Sequence, residues 1–317
     1  MAALPGELHR RLSRAALHQS GVKINTATAF FFIRACFTSG KLSPFRINMM
    51  KSKENLQAES LSSSLTQPRH DMHNQWPRAE SVEDFRENLA AVKLRIEAAC
   101  QRSGRSEKEI RLLPVSKTMD DAHIRLAYAA GCTELGENKV QEAWGKAQSL
   151  ADLSELRWSV IGHLQSNKAK LVAKFASEFQ ALDSLHVAEV LDRRLHTEGR
   201  ALDVFVQVNT SSEPSKYGLP AEDVDAFMCQ LKPFENLRVR GLMTLAEFTS
   251  DAGRVRACFK RLRQLRDRLS ESHGAMALSM GMSGDFEIAI EEGATVVRVG
   301  QAIFGARLRP DGFYWPR

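Results

Sequence analysis

Three groups of residues in this sequence stand where chemistry can be done. Ser116-Lys117-Thr118 closes an apolar run that begins at Leu112, and an amine at such a place is partly desolvated. Desolvation lowers an amine's pKa and frees its lone pair to attack an aldehyde, so Lys117 suits a Schiff-base role; it suits a snorkelling lysine or a simple anion contact equally well. The second group is a pair of glycine-rich loops, Ser279–Asp285 (SMGMSGD) and Arg298–Gly305 (RVGQAIFG). Glycines let the backbone approach a ligand, and Ser283 is placed to head a short helix whose free N–H groups favour an anion, although Ser-Gly-Asp is also an ordinary helix start. The third group is polar: Gly136-Glu137-Asn138 and Gly162 to Lys168. Here His163 is an acid or base by type, with no carboxylate partner visible nearby in sequence, and Asn138 and Asn167 fit helix N-caps as well as ligand contacts.

The elements that must position these residues alternate regularly. Ser81-Val-Glu-Asp84 resembles a capping box, and Phe85, Leu89, Val92, Ile96 and Ala99 then recur at helical spacing, predicting an opening helix. After Gly104, eight short apolar runs predict strands at 112–117, 132–136, 158–162, 179–183, 203–209, 239–244, 277–282 and 296–300, with a helical pattern after each of the first seven. Such alternation within about 220 residues is the size of a (β/α)8 TIM barrel, the α/β class expected here as a single domain with an extra N-terminal helix. A doubly wound open sheet is the alternative, but no Gly-x-Gly-x-x-Gly follows the first strand. In a barrel the working residues lie at the C-terminal strand ends, and the loops after strands 7 and 8 are frequent phosphate sites. The two-residue period of a strand turns Arg298 inward if Val297 and Val299 face outward.

Composition narrows the function classes. The 317 residues carry a formal net charge of +6, but residues 1–53 hold nine Lys/Arg against the single acid Glu7, so the remainder is slightly acidic. The basic balance therefore belongs to the start of the chain, and no charge bias in the body recruits nucleic acid. Residues 1–80, acid-poor at first and then Ser/Gln-rich, are expected to be a disordered or weakly ordered leader ahead of a barrel at 81–317. The leader fits an organelle-targeting presequence around Phe30-Phe31-Phe32, or an over-extended start, since Met49, Met50 and Met72 also offer initiation points. The longest apolar run, 27–37, is interrupted by Arg34 and falls short of the roughly 20 residues needed to span a bilayer. Five widely spaced cysteines without a Cys-x-x-Cys pair argue against a disulfide framework or zinc site and for a reducing compartment, so a cytoplasmic location is expected.

A phosphate cradle on one side of a barrel mouth and a lysine at the first strand suit a phosphorylated aldehyde. Pyridoxal 5′-phosphate is such a molecule, and an arginine facing its ring nitrogen is a known arrangement. Pro114-Val-Ser-Lys-Thr118, Gly136-Glu-Asn-Lys-Val-Gln-Glu142, Ile161-Gly-His-Leu-Gln-Ser-Asn-Lys168, Gly241-Leu-Met-Thr244, Leu278-Ser-Met-Gly-Met-Ser283 and Val297-Arg-Val-Gly300 with Ile303-Phe-Gly305 resemble the pyridoxal phosphate homeostasis protein family. That family is similar to the N-terminal barrel of alanine racemase, a fold type III protein of this cofactor. The resemblance implies that Lys117 forms the internal aldimine, Asn138 lies near the ring, Arg298 faces the pyridine nitrogen, and Ser283 and Gly300 bind the phosphate. Two departures stand out. Gln301 replaces a frequent threonine, and Trp158-Ser-Val-Ile-Gly162 replaces a frequent Trp-His-Phe-Ile-Gly.

Arginine only donates hydrogen bonds and stays charged, so it leaves a pyridine nitrogen unprotonated and the ring a weak electron sink. Alanine racemase compensates with a second base, a tyrosine from another domain. Tyr128 falls in a predicted helix, Tyr314 in the tail and Tyr217 in a loop expected to face solvent. The expectation is a monomer or weak dimer that holds pyridoxal phosphate, keeps its free level in balance and passes it to apo-enzymes, without a catalytic residue of its own; an amino-acid racemase is the alternative.

Overall fold

The computed structural model describes residues 76–306, except 212, 214–216 and 275. The described residues fall within one compact unit. The candidate start sites, the Phe30–Phe32 cluster, Tyr314 and Cys36 lie outside the described residues.

Helix α1 (Val82–Ser103) opens the body as the capping box requires. The Ser81 hydroxyl accepts from the Asp84 N–H at 3.1 Å, and the Asp84 carboxylate accepts from the Ser81 N–H at 2.9 Å, satisfying donors that a helix start leaves open. The five apolar residues predicted to share a face are all buried. Order begins before Ser81, however: Ala79 is buried and donates to the Phe304 carbonyl, and Ala306 donates to the Trp76 carbonyl. Residues 76–80, expected in the leader, are thus fastened to the body by backbone hydrogen bonds.

Eight parallel strands follow: β1 (Arg111–Pro114), β2 (Glu134–Glu137), β3 (Arg157–Val160), β4 (Glu178–Leu182), β5 (Leu202–Gln207), β6 (Leu237–Met243), β7 (Ala277–Ser279) and β8 (Val296–Val299). Their order, β1-β8-β7-β6-β5-β4-β3-β2, places β1 and β2 at the two ends of one sheet, and a parallel bridge between Val115 and Gly136 brings those ends together into a barrel. With a single bridge in place of a ladder at this seam, the barrel is nearly closed. Between strands run α2 (Asp121–Ala129), α3 (Val140–Ser149), α4 (Ala169–Phe175), α5 (Leu185–Thr197), α6 (Val224–Leu231), α7 (Ala252–His273) and α8 (Phe286–Glu291), with α9 (Gln301–Phe304) after β8. Apolar strand positions such as Leu113, Leu135, Val160, Phe179, Val204 and Val297 are fully buried, as strands covered by helices require.

All the strands but β2 end earlier than the runs that predict them. β1 stops at Pro114 and β7 at Ser279, so Lys117 and the glycine loop that follows β7 lie beyond the strands, at the barrel mouth. Neither asparagine caps a helix. Lys139 stands at the α3 N-cap without a side-chain bond, and Asn167 sits inside a 3-10 turn, Ser166–Lys168, whose cap position is Gln165. Cys100, Cys132, Cys229 and Cys258 are unpaired thiols. Among the described residues no helix is long and apolar enough to cross a membrane, and no cluster of His, Cys, Asp and Glu could hold a metal ion.

Candidate functional site

Lys117 is half-buried in a turn just past β1, and the residues around it are held by a buried ionic cluster. The Ser116 hydroxyl donates to Glu137 Oε1 at 2.6 Å, while Lys146 Nζ donates to the Ser116 carbonyl at 3.1 Å and to Glu137 and Glu142 at 2.8 Å each. On the other side of the lysine, the Thr118 N–H donates to Glu142 Oε1 at 3.0 Å. The backbone is thus gripped immediately before and after Lys117. The grip also holds a costly conformation, since Thr118 has φ 71°, a left-handed region that a β-branched residue enters only when its surroundings enforce it.

Charge in this cluster is unevenly shared. Glu137 is fully buried, and burial raises its pKa against the pull of Lys146; its Oε2 has no hydrogen-bond partner. Burial also acts on Glu142, but the Lys146 hydrogen bond and charge, with the Thr118 N–H, outweigh it and lower the net value. Lys146 escaped the sequence reading because it looks like a surface lysine of α3. A signal was present: it follows Val140 and Ala143 at intervals of three, on the buried side of the helix.

Asn138 follows Glu137 directly. Gly162 packs on it so closely that a Cβ there would collide with the Asn138 carbonyl, so the loops after β2 and β3 are locked together. The structure also supplies the carboxylate that His163 lacked in sequence. Asp183, just past β4, lies 3.7 Å from His163 Nδ1 and accepts from the Gly218 N–H at 3.2 Å. Burial raises the Asp183 pKa, opposed by the His163 charge. The Tyr217 ring stacks on His163 with centroids 4.1 Å apart, so the residue expected to face solvent alone is exposed on one side and packed on the other.

The neighbouring part of the mouth, past β1's partner strand β8 and the next strand β7, is built from loops 7 and 8. Ser283 does not head α8, whose N-cap position is Asp285. Its hydroxyl crosses to the other loop and accepts from the N–H groups of Gly300 and Ala302 at 3.2 and 3.3 Å. Ser283 and Gly300, predicted separately, are therefore one hydrogen-bonded unit at the start of α9. Gly281 has φ +94°, and a Cβ there would sit 2.8 Å from the Phe286 Cα, so the turn requires glycine on both counts. α1 braces these loops from outside: Asn88 donates to the Ile303 carbonyl at 3.0 Å, Arg95 pairs with Glu287 at 2.7 Å, and the Arg95 guanidinium lies over the Phe286 ring.

Arg298 points into the barrel as the strand period predicts. Its Nη1 donates to Ser279 Oγ at 2.6 Å and its Nη2 to the Thr244 carbonyl at 2.8 Å. Burial pushes its pKa down to about 10, against the charges of Asp285 and Glu178, so it remains a cation at neutral pH. An amine, a hydroxyl paired with two backbone amides and a buried guanidinium make a donor set suited to a molecule carrying an aldehyde, a phosphate and a ring nitrogen acceptor. Gly300 completes the fit by close approach: a Cβ on it would press on the Val115 carbonyl at 3.2 Å, at the base of the Lys117 turn.

Fold and comparison together define the class. Residues 88–308 match the family model "Alanine racemase, N-terminal domain". Two solved structures illustrate the likeness. An alanine racemase of Clostridium difficile is 16% identical, with TM-score 0.56 over 72% of this chain and 58% of that one, and it shares the fold. PipY of Synechococcus elongatus, solved with pyridoxal phosphate bound, is 36% identical with TM-score 0.62, covering 70% of this chain and 100% of that one. Among curated proteins, the pyridoxal phosphate homeostasis protein of Pseudomonas aeruginosa is 45% identical over 221 residues, 70% of this chain and 95% of its own length. That of Escherichia coli is 38% identical over 229 residues, 71% and 98% of the two chains. The chain belongs to the pyridoxal phosphate homeostasis protein family. These relatives are named for homeostasis of the cofactor and not for a reaction.

Proposed function

We propose that this protein binds pyridoxal 5′-phosphate reversibly and holds its free level in balance, handing it to apo-enzymes without turning over a substrate. The observation that carries this reading is the adjacency of two built surfaces at the C-terminal end of one barrel, the Lys117 turn after β1 and the Ser283–Gly300 unit after β7 and β8, with Arg298 on β8 between β1 and β7. The PipY structure with pyridoxal phosphate bound and the names of the relatives support it.

Each residue has a separate task. Lys117 is the amine that takes the aldehyde carbon in a reversible covalent bond, with loss of one water. The Ser116–Glu137–Lys146–Glu142 cluster fixes the backbone on both sides of that amine. Ser283 and the Gly300 amide hold the phosphate, and Asn138 flanks the ring. Arg298 donates to the ring nitrogen and keeps a proton off it, which weakens the ring as an electron sink and favours storage over turnover.

Purified protein loaded with pyridoxal phosphate should absorb in the visible, and borohydride should fix the cofactor mass on the peptide containing Lys117. A Lys117→Ala protein that keeps the same band would overturn the assignment. Amino-acid α-proton exchange well above the rate with free cofactor would instead support a racemase.

A further inference from the structure

The barrel interior contains a polar chain that none of the site residues above explains. From Arg298 on β8 it passes to Ser279 on β7, whose hydroxyl donates to Gln180 Oε1 at 2.7 Å; Gln180 Nε2 then donates to Glu178 Oε1 at 2.6 Å. Glu178 also accepts from Ser159 Oγ at 3.0 Å and from Arg111 Nη2 at 2.6 and 2.8 Å. Arg298, Ser279, Gln180 and Glu178 are all buried. In the strand order β4 stands opposite β8, so the chain crosses the barrel from wall to wall.

Its direction is fixed by chemistry. A guanidinium only donates and a carboxylate only accepts, so the groups between them must point one way. Ser279 has a single proton; giving it to Gln180 leaves a lone pair for Arg298. Gln180 must then turn its carbonyl to Ser279 and its amide nitrogen to Glu178, because the flipped amide would set oxygen against oxygen. Ser159 adds a second neutral donor to Glu178 at the position where the resembled family commonly has histidine.

We propose that Gln180, acting through Ser279, is a positioning residue for Arg298, with Glu178 as the remote counter-charge that orients the whole chain. The guanidinium assigned to the ring nitrogen is set from the opposite barrel wall. This inference rests on the cofactor reading for its consequence and on the cofactor-free protein for its geometry.

Two readouts test it. In the cofactor-free protein, the Arg298 side-chain N–H resonances should be resolved and slow to exchange by 1H–15N NMR. Gln180→Leu and Ser279→Ala should each release them, while Gln180→His, which keeps one donor and one acceptor in a neutral side chain, should restore at least part of the protection. With cofactor, each of the two disrupting variants should bind pyridoxal phosphate about tenfold more weakly, or about 1.4 kcal/mol, with a shifted absorption maximum. The double variant should be no worse than either single one, because both cut the same chain. If Gln180→Leu does not fold, Ser279→Ala carries the test alone. Unchanged Arg298 resonances and unchanged affinity in the folded variants would overturn the proposal. Wild-type protein that takes up no pyridoxal phosphate would overturn the functional reading instead, and the resonances would still decide the relay.

Discussion

The two sides of the barrel mouth are built on opposite principles. Around Lys117 the backbone is fixed by buried charge: one lysine, Lys146, bridges two glutamates and a carbonyl drawn from three segments of chain. Around Ser283 and Gly300 it is fixed by close backbone packing, with one neutral hydroxyl joining two loops and glycines where no Cβ fits. A buried charge network is strong only while complete, because removing one partner strands the others in a medium that cannot solvate them. A glycine turn fails locally and in proportion to the clash. The first side should therefore break all at once and with pH dependence, the second in steps and without it.

The largest expected effect is on the charged side. Lys146→Met keeps the stem of the side chain but leaves Glu137 and Glu142 without their cation, and the loss should be about 3–5 kcal/mol at neutral pH. The pH dependence follows from Glu137, whose pKa burial raises above its ordinary 4.5. Its folded form holds a proton more tightly than its unfolded form, so stability falls as pH rises from that ordinary value through the folded one. Removing Lys146 removes the opposing pull and widens that window upward. Thermal unfolding from pH 7 to pH 5 should show the variant's deficit shrinking as the medium becomes more acidic; a deficit constant across that range would mean that packing and not charge was lost.

On the backbone side the next effect is Gly281→Ala, where a φ of +94° and contacts at 2.7 and 2.8 Å to α8 combine. A cost of about 2–3 kcal/mol is expected, flat from pH 5 to 7 in the same unfolding series. Smaller again is Ser283→Ala, which strips one hydroxyl from the Gly300 and Ala302 amides and should cost about 1 kcal/mol in the cofactor-free protein. Its larger signature should be in pyridoxal phosphate affinity, measured by absorbance titration; equal affinity in wild type and variant would remove Ser283 from the phosphate site.

The same contrast governs what the sequence discloses. Loops 7 and 8 announce themselves, since Gly281, Ser283 and Gly300 stand within short runs and glycine has few other reasons to recur there. Even so, which helix Ser283 serves was unreadable, because its partners lie in the next loop. The eight strands, the helices after the first seven and the inward Arg298 follow from local periodicity and were legible, although the strand ends and the short α9 were not. The charged side was not: Ser116, Glu137, Glu142 and Lys146 meet only once β1 and β2 are joined by the Val115–Gly136 bridge. Asp183 beside His163, and Gln180 joined to Arg298 through Ser279, were hidden for the same reason, each pairing reaching across strands. The capping box at Ser81 was legible, while the ordered residues 76–80 were not, because their anchors, Phe304 and Ala306, are more than 200 residues away in sequence.

The smallest expected effect has the opposite sign and probes what the charge network is for. Thr118 sits at φ 71° with its N–H held by Glu142, so part of the network's stabilisation offsets a strained backbone. Glycine adopts that conformation without the Cβ penalty, although it loses more entropy on folding, so Thr118→Gly should raise stability by up to about 1 kcal/mol. If the strain exists to hold Lys117 in one orientation, the relaxed turn should keep the fold and the Glu142 contact yet slow capture of pyridoxal phosphate, read as a lower rate of appearance of the visible band. Pairing it with Lys146→Met sharpens the point. With the network broken, the unstrained glycine should recover more stability than it adds to the wild-type protein, since nothing else then holds threonine in the left-handed region. Additive effects would instead show that the turn is set by the β1–β2 bridge and that the ionic cluster merely lies beside it.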